Sequence, residues 1–210
     1  MKPFLRWAGS KRQLFPLLRD YWPEESGRYI EPFAGSASLF FDLEPREAIL
    51  GDMNNNLIQT YRMVKKDPYL VIESLKRLSV GRKAYYKIRD RFQEPLSEAD
   101  HAAIFIYLNK FCFNGLYRTS KQGHFNVPFG DSKGNTKFDF ALIIDASKLL
   151  ANAQLISGDF QRTASYAGAG DFVYLDPPYW AERKRIFKEY QPSGFGLRDL
   201  TRLNETLIEF

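Results

Sequence analysis

The sequence predicts an α/β protein in which a parallel β-sheet is interrupted by a mainly helical insertion. Short apolar runs typical of buried strands occur at residues 29–33, 48–50, 154–156 and 172–175. Turn residues and helical periodicity follow these runs, which is the alternation expected of an α/β sheet. A stretch with helical spacing and a basic, glycine-containing loop, residues 67–137, separate the second run from the third.

Composition limits the classes of protein that this chain can be. Its 210 residues, 44% hydrophobic and 26% charged, suffice for a buried core and are ordinary for a globular domain. One cysteine and two histidines argue against a disulfide framework and a zinc site, so we expect no metal. No apolar run approaches the length of a membrane span or a signal-peptide core, which predicts a cytoplasmic protein. The net charge of +5 permits a polyanionic partner without requiring one.

The first half of the sheet has the order strand, small-residue turn, helix, strand and acid. Strand 29–33 ends at Pro32, and the next turn contains Gly35, where glycine lets the backbone bend sharply beside a ligand. Asp52 lies 17 residues after Gly35, close to the spacing of roughly 20 at which an acid reaches ribose hydroxyls. The missing Gly-x-Gly-x-x-Gly pattern disfavours a pyrophosphate and favours a nucleoside with a small zwitterionic tail, such as S-adenosylmethionine. Taken singly, Gly35 could equally form a plain turn and Asp52 a helix cap.

The segment before the first strand, RWAGSK at residues 6–11, holds an aromatic and a basic side chain. Trp7 and Lys11 could fold over a bound cofactor, with the lysine against its carboxylate. The alternative is a helix N-terminus capped by Ser10, with Lys11 in a solvated basic pair.

A mainly helical segment follows the second strand. Residues 54–66 are predicted to form a helix capped by Asn54 or Asn55, and amphipathic spacing continues to Phe111. Residues 118–137 are predicted to form a long functional loop or hairpin, because structureless loops of this length are otherwise uncommon. The basic residues of this loop are Arg118, Lys121, His124 (if protonated), Lys133 and Lys137.

The chain then returns to the sheet through a predicted helix at residues 138–150. We therefore expect a discontinuous catalytic domain formed by residues 1–53 and 138–210. Residues 54–137 are expected to form a target-recognition domain inserted into it.

The most informative motif is Asp176-Pro177-Pro178-Tyr179, directly after the apolar strand 172–175. Two prolines prevent a helix and lack amide donors, so the loop is extended and its carbonyls are unpaired. A fixed carboxylate, the Pro177 carbonyl and an aromatic ring then lie at the carboxyl end of a strand, where open α/β sheets bind ligands. Two acceptors and a stacking face suit an exocyclic amine on a planar ring. An ordinary strand-to-loop exit with an acidic cap is the alternative.

Six segments, in this order, resemble the Dam-type (D12 class) adenine-specific DNA methyltransferases, which are class I enzymes that use S-adenosylmethionine. They are RWAGSK at 6–11, EPFAGS at 31–36, GD at 51–52, FNGLYR at 113–118, FNVPFG at 125–130 and DPPY at 176–179. The resemblance covers nearly the whole chain and implies the Rossmann-like sheet of class I methyltransferases. The chain departs from the family at Ala37, where the turn usually has a second glycine.

The resemblance implies roles for individual residues. The expected S-adenosylmethionine-binding residues are Trp7, Lys11, Phe33, Gly35, Asp52, Asp159, Phe160 and Asp176. The residues expected to contact double-stranded DNA are Phe113, Asn114, Leu116, Arg118, Asn126 and Pro128. Among these, Phe113 would enter the base stack and Arg118 would contact a guanine.

The implied reaction is methyl transfer to the N6 amine of an adenine flipped out of the duplex, in a GATC-like site. Asp176 and the Pro177 carbonyl would accept the two amine hydrogens, and Tyr179 would stack on the base. The aromatic residues Phe187, Tyr190 and Phe195 are expected either to cover the flipped base or to pack in the core.

Two other functions stay open at this point. The chain could methylate another planar amine, such as cytosine N4, RNA or a protein amide, or it could be a catalytically silent DNA-binding module. The second receives support because the chain stops at Phe210, within a predicted helix 197–210, before the three further strands that a class I sheet normally has. The strand before Asp176 would then be an exposed apolar edge. We therefore expect a monomer, or a truncated chain that a missing C-terminal segment or another polypeptide completes, in a bacterium or a phage-infected cell.

Overall fold

The computed structural model of the chain describes residues 1–9, 11–23, 27–130, 137–178 and 195–208. Four parallel strands form one sheet in the order β3-β2-β1-β4. Their bounds are Tyr29–Glu31 (β1), Ala48–Asp52 (β2), Ala153–Ser157 (β3) and Phe172–Val173 (β4). The predicted α/β class and all four predicted strands are therefore confirmed.

The helices alternate with these strands and fill the interval between β2 and β3. In the described residues they are Phe15–Asp20 (α1), Ser38–Leu43 (α2), Asn55–Lys66 (α3), Pro68–Lys76 (α4), Arg82–Arg91 (α5), Glu98–Phe111 (α6), Phe140–Leu150 (α7), Phe160–Ala164 (α8) and Leu197–Ile208 (α9). The predicted cap of α3 is Asn54, whose side chain accepts the amide hydrogen of Leu57. Helix α8 was not predicted, because five residues are too few to show a helical period. None of the described helices has the length and apolar character needed to cross a bilayer.

The strand order reverses beside β1. The chain runs outward from β1 to β2 and β3, then returns to pair β4 with the other side of β1, where Ile30 lies opposite both Ile49 and Val173. A crevice at such a reversal, outside the carboxyl ends of the strands, is where open α/β sheets bind their ligands. Phe33 follows the carboxyl end of β1 and Asp176 follows that of β4, so predicted site residues lie at this crevice.

Strand β4 is shorter and less buried than predicted. The prediction gave a buried strand at residues 172–175, whereas the structure has a half-buried strand of two residues. The Tyr174 amide still donates to the Ile30 carbonyl, at 2.8 Å, so pairing continues one residue beyond the strand. In the described residues β4 has β1 on one side and ends the sheet, which explains its exposure.

The helices between β2 and β3 pack on one another and on the sheet. Helix α3 lies against β3, where Arg62 and Lys65 donate to the carbonyls of Leu155 and Ala153, at 2.7 and 3.0 Å. The same helix contacts α6, and the larger of two apolar clusters among the described residues runs from the sheet through α3, α4 and α6. The division of the chain at residue 54 stays a prediction.

The loop predicted after α6 is stabilised by two antiparallel bridges. Cys112 pairs with Phe129, and Thr119 pairs with Phe125. Residues 112–119 and 125–129 therefore run beside one another, as the hairpin alternative of the prediction requires. Gly130 must be a glycine here, because a Cβ atom would lie 2.7 Å from the Cys112 carbonyl oxygen.

Candidate active site

The turn after β1 is held against the end of β2 by Asp52. One carboxylate oxygen of Asp52 accepts from the Gly35 amide at 2.9 Å, and the other accepts from the Asn54 amide at 2.8 Å. Gly35 has a φ of +49°, and a Cβ atom there would lie 2.8 Å from Cδ1 of Trp7. The predicted residues Trp7, Gly35 and Asp52 are thus brought together, and only glycine lets the indole come this close.

Ala37 occupies the second turn position in a conformation that glycine would adopt more readily. Its φ is +49°, it is completely buried, and its amide donates to the Ala34 carbonyl. A non-glycine residue in this left-handed region is strained by about 1 kcal/mol or more. The turn therefore tolerates the departure from the family pattern, at a cost in strain.

Lys11 forms an ion pair with the predicted catalytic acid. Its ammonium group lies 2.7 and 2.9 Å from the two carboxylate oxygens of Asp176, and it also donates to the Gly9 carbonyl at 3.0 Å. Both side chains are about three-quarters shielded from solvent. The sequence prediction placed Lys11 near the carboxylate of a cofactor and did not foresee its contact with Asp176.

A third acid, Glu31, is buried at the end of β1 between these groups. Burial raises the pKa of Glu31 well above its ordinary value of 4.5; a hydrogen bond from the Tyr29 hydroxyl opposes the shift, and the charges of Asp176 and Asp52 add to it. Burial also raises the pKa of Asp52, against its two backbone hydrogen bonds. The site thus combines a buried carboxyl at Glu31, whose raised pKa favours the protonated form, with an ion-paired carboxylate at Asp176.

The buried Glu31 makes a prediction about stability and pH. Its folded-state pKa is raised, so its contribution to the free energy of unfolding is complete below 4.5 and is lost as the pH rises toward the folded-state value. The glutamine side chain of Glu31→Gln does not titrate. Above pH 5 the free energy of unfolding of the wild type should therefore fall relative to that of this variant, by up to about 1.4 kcal/mol per pH unit. Urea unfolding between pH 5 and pH 8 measures this slope. The exposed Glu205→Gln should follow the wild-type profile, and parallel profiles for Glu31→Gln and the wild type would contradict the prediction.

An aromatic cluster lies beside the acids, at the carboxyl ends of β1 and β3. Phe33 stacks on Phe160 with ring centroids 5.3 Å apart, and Phe195 meets both rings at 5.9 and 6.3 Å. Asp159 caps α8 through the Gln161 amide, at 3.0 Å. Phe33, Asp159 and Phe160 are therefore together, as predicted. Phe195 is half-buried against these rings, and both of its predicted roles stay predictions.

Trp7, which is predicted to bind the cofactor, contacts the predicted DNA-binding segment. Its indole stacks on Tyr117, with centroids 6.0 Å apart and planes 16° from parallel. The Tyr117 hydroxyl accepts from Asn56 at 2.9 Å, and the other atom of that amide group contacts His101 at 3.0 Å. Burial lowers the pKa of His101, which favours the neutral imidazole. Through Tyr117, the segment 113–118 therefore contacts Trp7, whose indole lies against the turn at Gly35.

The predicted DNA-binding residues lie on the two paired segments of the hairpin, the first of which begins with a 3-10 turn at Phe113–Gly115. Phe113 has 51% of its surface exposed, and its amide donates to the carbonyl of the exposed Pro128 at 2.9 Å. Asn114 is exposed and has a φ of +53°. Arg118 Nε donates to the Asn126 side chain at 2.8 Å. Four of the six residues thus form two contacting pairs, Phe113 with Pro128 and Arg118 with Asn126, and the exposed Asn114 and half-buried Leu116 lie between Phe113 and Arg118 in sequence.

Some predicted residues lie outside the described part of the chain. They are the proposed cap Ser10, the loop residue Lys133, the stacking residue Tyr179 and the aromatic residues Phe187 and Tyr190. The predicted final helix is described as α9, up to Ile208. The described residues contain no group of three or more metal-ligating side chains arranged to hold an ion.

Comparison with known proteins decides the family. Residues 7–210 match the model of the D12 class N6 adenine-specific DNA methyltransferases. The chain belongs to this family. It is an adenine-specific DNA methyltransferase, its substrate is DNA, and its reaction requires a methyl donor.

Curated relatives agree with this assignment. The chain is 38% identical to the Type II methyltransferase M1.LlaDCHI of Lactococcus lactis subsp. cremoris, over 98% of the chain and 75% of the relative. It is also 38% identical to the Type II methyltransferase M.MjaIII of Methanocaldococcus jannaschii, over 97% of the chain and 78% of the relative. The identity to the DNA adenine methylase of Haemophilus influenzae is 34%, over 93% of the chain and 70% of the relative.

Three residues at the candidate site of this methyltransferase were not predicted from its sequence. Glu31 was visible as an acid at the end of an apolar strand, but a sequence does not show burial. Tyr117 lay inside a recognised motif without an assigned role. Arg202, which contacts Asp159 at 2.7 Å, had no signal at all, because a separate helix brings it to the site.

Proposed function

We propose that this methyltransferase transfers the methyl group of S-adenosylmethionine to the N6 amine of an adenine flipped out of double-stranded DNA, within a GATC-like site. The observation that carries the proposal is the meeting of Asp176 and Lys11 with the turn at Gly35, across the crevice between β1 and β4. Aromatic rings, acids and a basic group thus lie together at the carboxyl ends of the strands.

The chain has a suitable group for each part of the cofactor. The rings of Phe33 and Phe160 provide an apolar surface for an adenine, with the Asp159 carboxylate beside it to accept from the amine. Asp52 already accepts two amide hydrogens, but a carboxylate has about four acceptor positions, so ribose hydroxyls can still donate to it. Lys11 supplies a positive charge for the methionine carboxylate.

The ion pair between Lys11 and Asp176 bears on the order of events. As long as the ammonium group lies against both oxygens of Asp176, it offsets their negative charge and makes them weaker acceptors for an amine. A second carboxylate near Lys11 would draw the ammonium group away. In this proposal cofactor binding therefore prepares Asp176 for the base.

Asp176 and the Pro177 carbonyl would then accept the two hydrogens of the adenine amine. This localises the nitrogen lone pair and stabilises the positive charge that develops on N6, after which the excess proton leaves to Asp176 or to water. When bound, S-adenosylmethionine supplies the methyl group from its sulfonium centre. Tyr179 would stack on the base, and positioning supplies much of the rate.

The hairpin of residues 112–130 would bind the duplex, as part of an inserted recognition domain at residues 54–137. The half-exposed Phe113 can fill the gap that a flipped base leaves, and the hydrogen bond from its amide to the Pro128 carbonyl fixes its backbone where the paired segments begin. The Arg118 guanidinium, oriented by Asn126, is suited to a guanine edge. Asn114 and Leu116 flank these contacts.

The proposal is tested with two duplexes of equal composition, one with GATC and one with the site scrambled. Tritium from methyl-labelled S-adenosylmethionine should enter the first duplex and be at background in the second. A duplex with 2-aminopurine in place of the target adenine should gain fluorescence on binding, because the unstacked base is less quenched. DNA binding without incorporation would favour a catalytically silent module, and incorporation into both duplexes would contradict the GATC preference.

A further inference from the structure

Helix α9 delivers one side chain, Arg202, to the residues that begin α8. Its Nη2 atom lies 2.7 Å from Asp159 Oδ1 and 2.5 Å from Gln161 Oε1, and its Nε atom lies 3.1 Å from the same Gln161 oxygen. Its guanidinium carbon lies 5.0 Å from the centroid of the Phe160 ring. Nη1 donates to Asp199 at 3.1 Å, which holds the guanidinium from its own helix.

These contacts fix the Asp159 carboxylate in one orientation. Two donors, Arg202 Nη2 and the backbone amide of Gln161, converge on Asp159 Oδ1 at 2.7 and 3.0 Å. Rotation of the carboxylate about its own axis would break one charge-assisted hydrogen bond and the cap of α8 together. The second oxygen, Oδ2, is therefore set at a defined position relative to the Phe160 ring.

We propose that Arg202 is a positioning residue that gives the cofactor pocket its preference for a 6-amino purine over a 6-oxo purine. The inference rests on the proposed function, in which Asp159 and Phe160 bind the adenine of S-adenosylmethionine. An ionised carboxylate accepts hydrogen bonds and cannot donate them, so it binds an exocyclic amine and repels a carbonyl oxygen. Such discrimination depends on an acceptor that cannot turn away, and the contacts of Arg202 hold Asp159 in place.

The docking of α9 does not depend on Arg202 alone. Leu203 and Thr206 are each only 7% exposed, and the Thr206 hydroxyl accepts from Gln161 Nε2 at 3.3 Å. Arg202→Met, which keeps the length and apolar stem of the side chain, should therefore leave the helix in place. Arg202→Lys keeps the charge but not the planar fork that reaches Asp159 and Gln161 together.

The test measures binding of S-adenosylhomocysteine and S-inosylhomocysteine by isothermal titration calorimetry. Wild type should prefer the adenosyl compound, and Arg202→Met should lose about 10- to 100-fold in affinity for it, the value of a charged hydrogen bond. The ratio of the two affinities should fall with it, whereas kcat at saturating cofactor should change little. The affinity ratio of Arg202→Lys should lie between those of wild type and Arg202→Met. The control is Arg198→Met, at an exposed position one turn earlier in α9, which should match wild type.

The outcomes separate the two proposals. If wild type binds neither compound, the proposed cofactor is wrong and this inference falls with it. If wild type prefers the adenosyl compound and both Arg202 variants keep that preference, the inference alone is overturned. Thermal melts accompany each titration, and if Arg202→Met fails to fold, the affinity ratio of Arg202→Lys decides.

Discussion

Asp176→Asn is expected to lower the rate of methyl transfer by about 100- to 1,000-fold while the protein still binds S-adenosylmethionine and DNA. The substitution keeps the shape of the side chain but removes the negative charge that stabilises a positive N6. It also leaves Lys11, which lies 2.7 Å from Asp176, without its carboxylate. A loss confined to the chemical step is what an acceptor of the amine hydrogens requires.

Single-turnover kinetics with saturating cofactor and DNA measures this step directly, and equilibrium binding measures the rest. The matched control is Asp145→Asn, an acid in a half-exposed ion pair with Lys148 on α7, which should alter the rate by less than about twofold because exposed pairs contribute little. A rate within tenfold of wild type for Asp176→Asn would show that Asp176 is not the acceptor. An equal loss of cofactor binding and rate would assign it to the cofactor site alone.

Gly51→Ala is expected to lower the free energy of unfolding by about 1–3 kcal/mol, the usual cost of overpacking. Gly51 lies in β2 against α8, and a Cβ atom there would lie 2.0 Å from Oγ1 and 2.9 Å from Cγ2 of Thr163. Thr163 is 1% exposed, so neither side chain can move into solvent. Helix α8 must shift, and with it Asp159 and Phe160, so cofactor affinity should fall as well.

A double substitution tests the cause of this loss. Thr163→Ala removes the two clashing atoms, and among the described residues the Thr163 hydroxyl has no hydrogen-bond partner to lose. Gly51→Ala with Thr163→Ala should recover part of the stability, incompletely because the Thr163 Cβ atom would still be 2.8 Å away. Urea unfolding measures all variants, with Gly168→Ala as a glycine whose added Cβ meets nothing closer than 3.9 Å. If the losses in free energy of unfolding from the two single substitutions simply add in the double variant, the clash with Thr163 is not the cause.

Local patterns predicted the parts of the fold that depend on local physics. The strands, the turn at Gly35 and the cap at Asn54 were recognisable because apolar runs, glycine and a capping side chain act over a few residues. The same holds for the hairpin after α6. The short β4 was overestimated, because its burial depends on neighbouring strands and not on its own residues.

The parts of the site that were missed depend on tertiary contacts. Arg202 reaches Asp159 from a position 43 residues later, and Lys11 reaches Asp176 across 165 residues. The altered pKa of Glu31 depends on how deeply the end of β1 is covered. A residue's type and spacing do not carry such information, whereas the family motifs placed Asp52, Asp159 and Asp176 on one edge because all parallel strands end there.

The most direct measurement is product analysis after one reaction with S-adenosylmethionine that carries a trideuterated methyl group. Unmethylated duplex DNA is digested to nucleosides after incubation with wild type or Asp176→Asn, and the products are separated and weighed by mass spectrometry. We expect a trideuteromethyl group on N6 of deoxyadenosine with wild type, and a yield lower by about 100-fold or more with Asp176→Asn. Label on cytosine, or equal yields from the two proteins, would contradict this expectation.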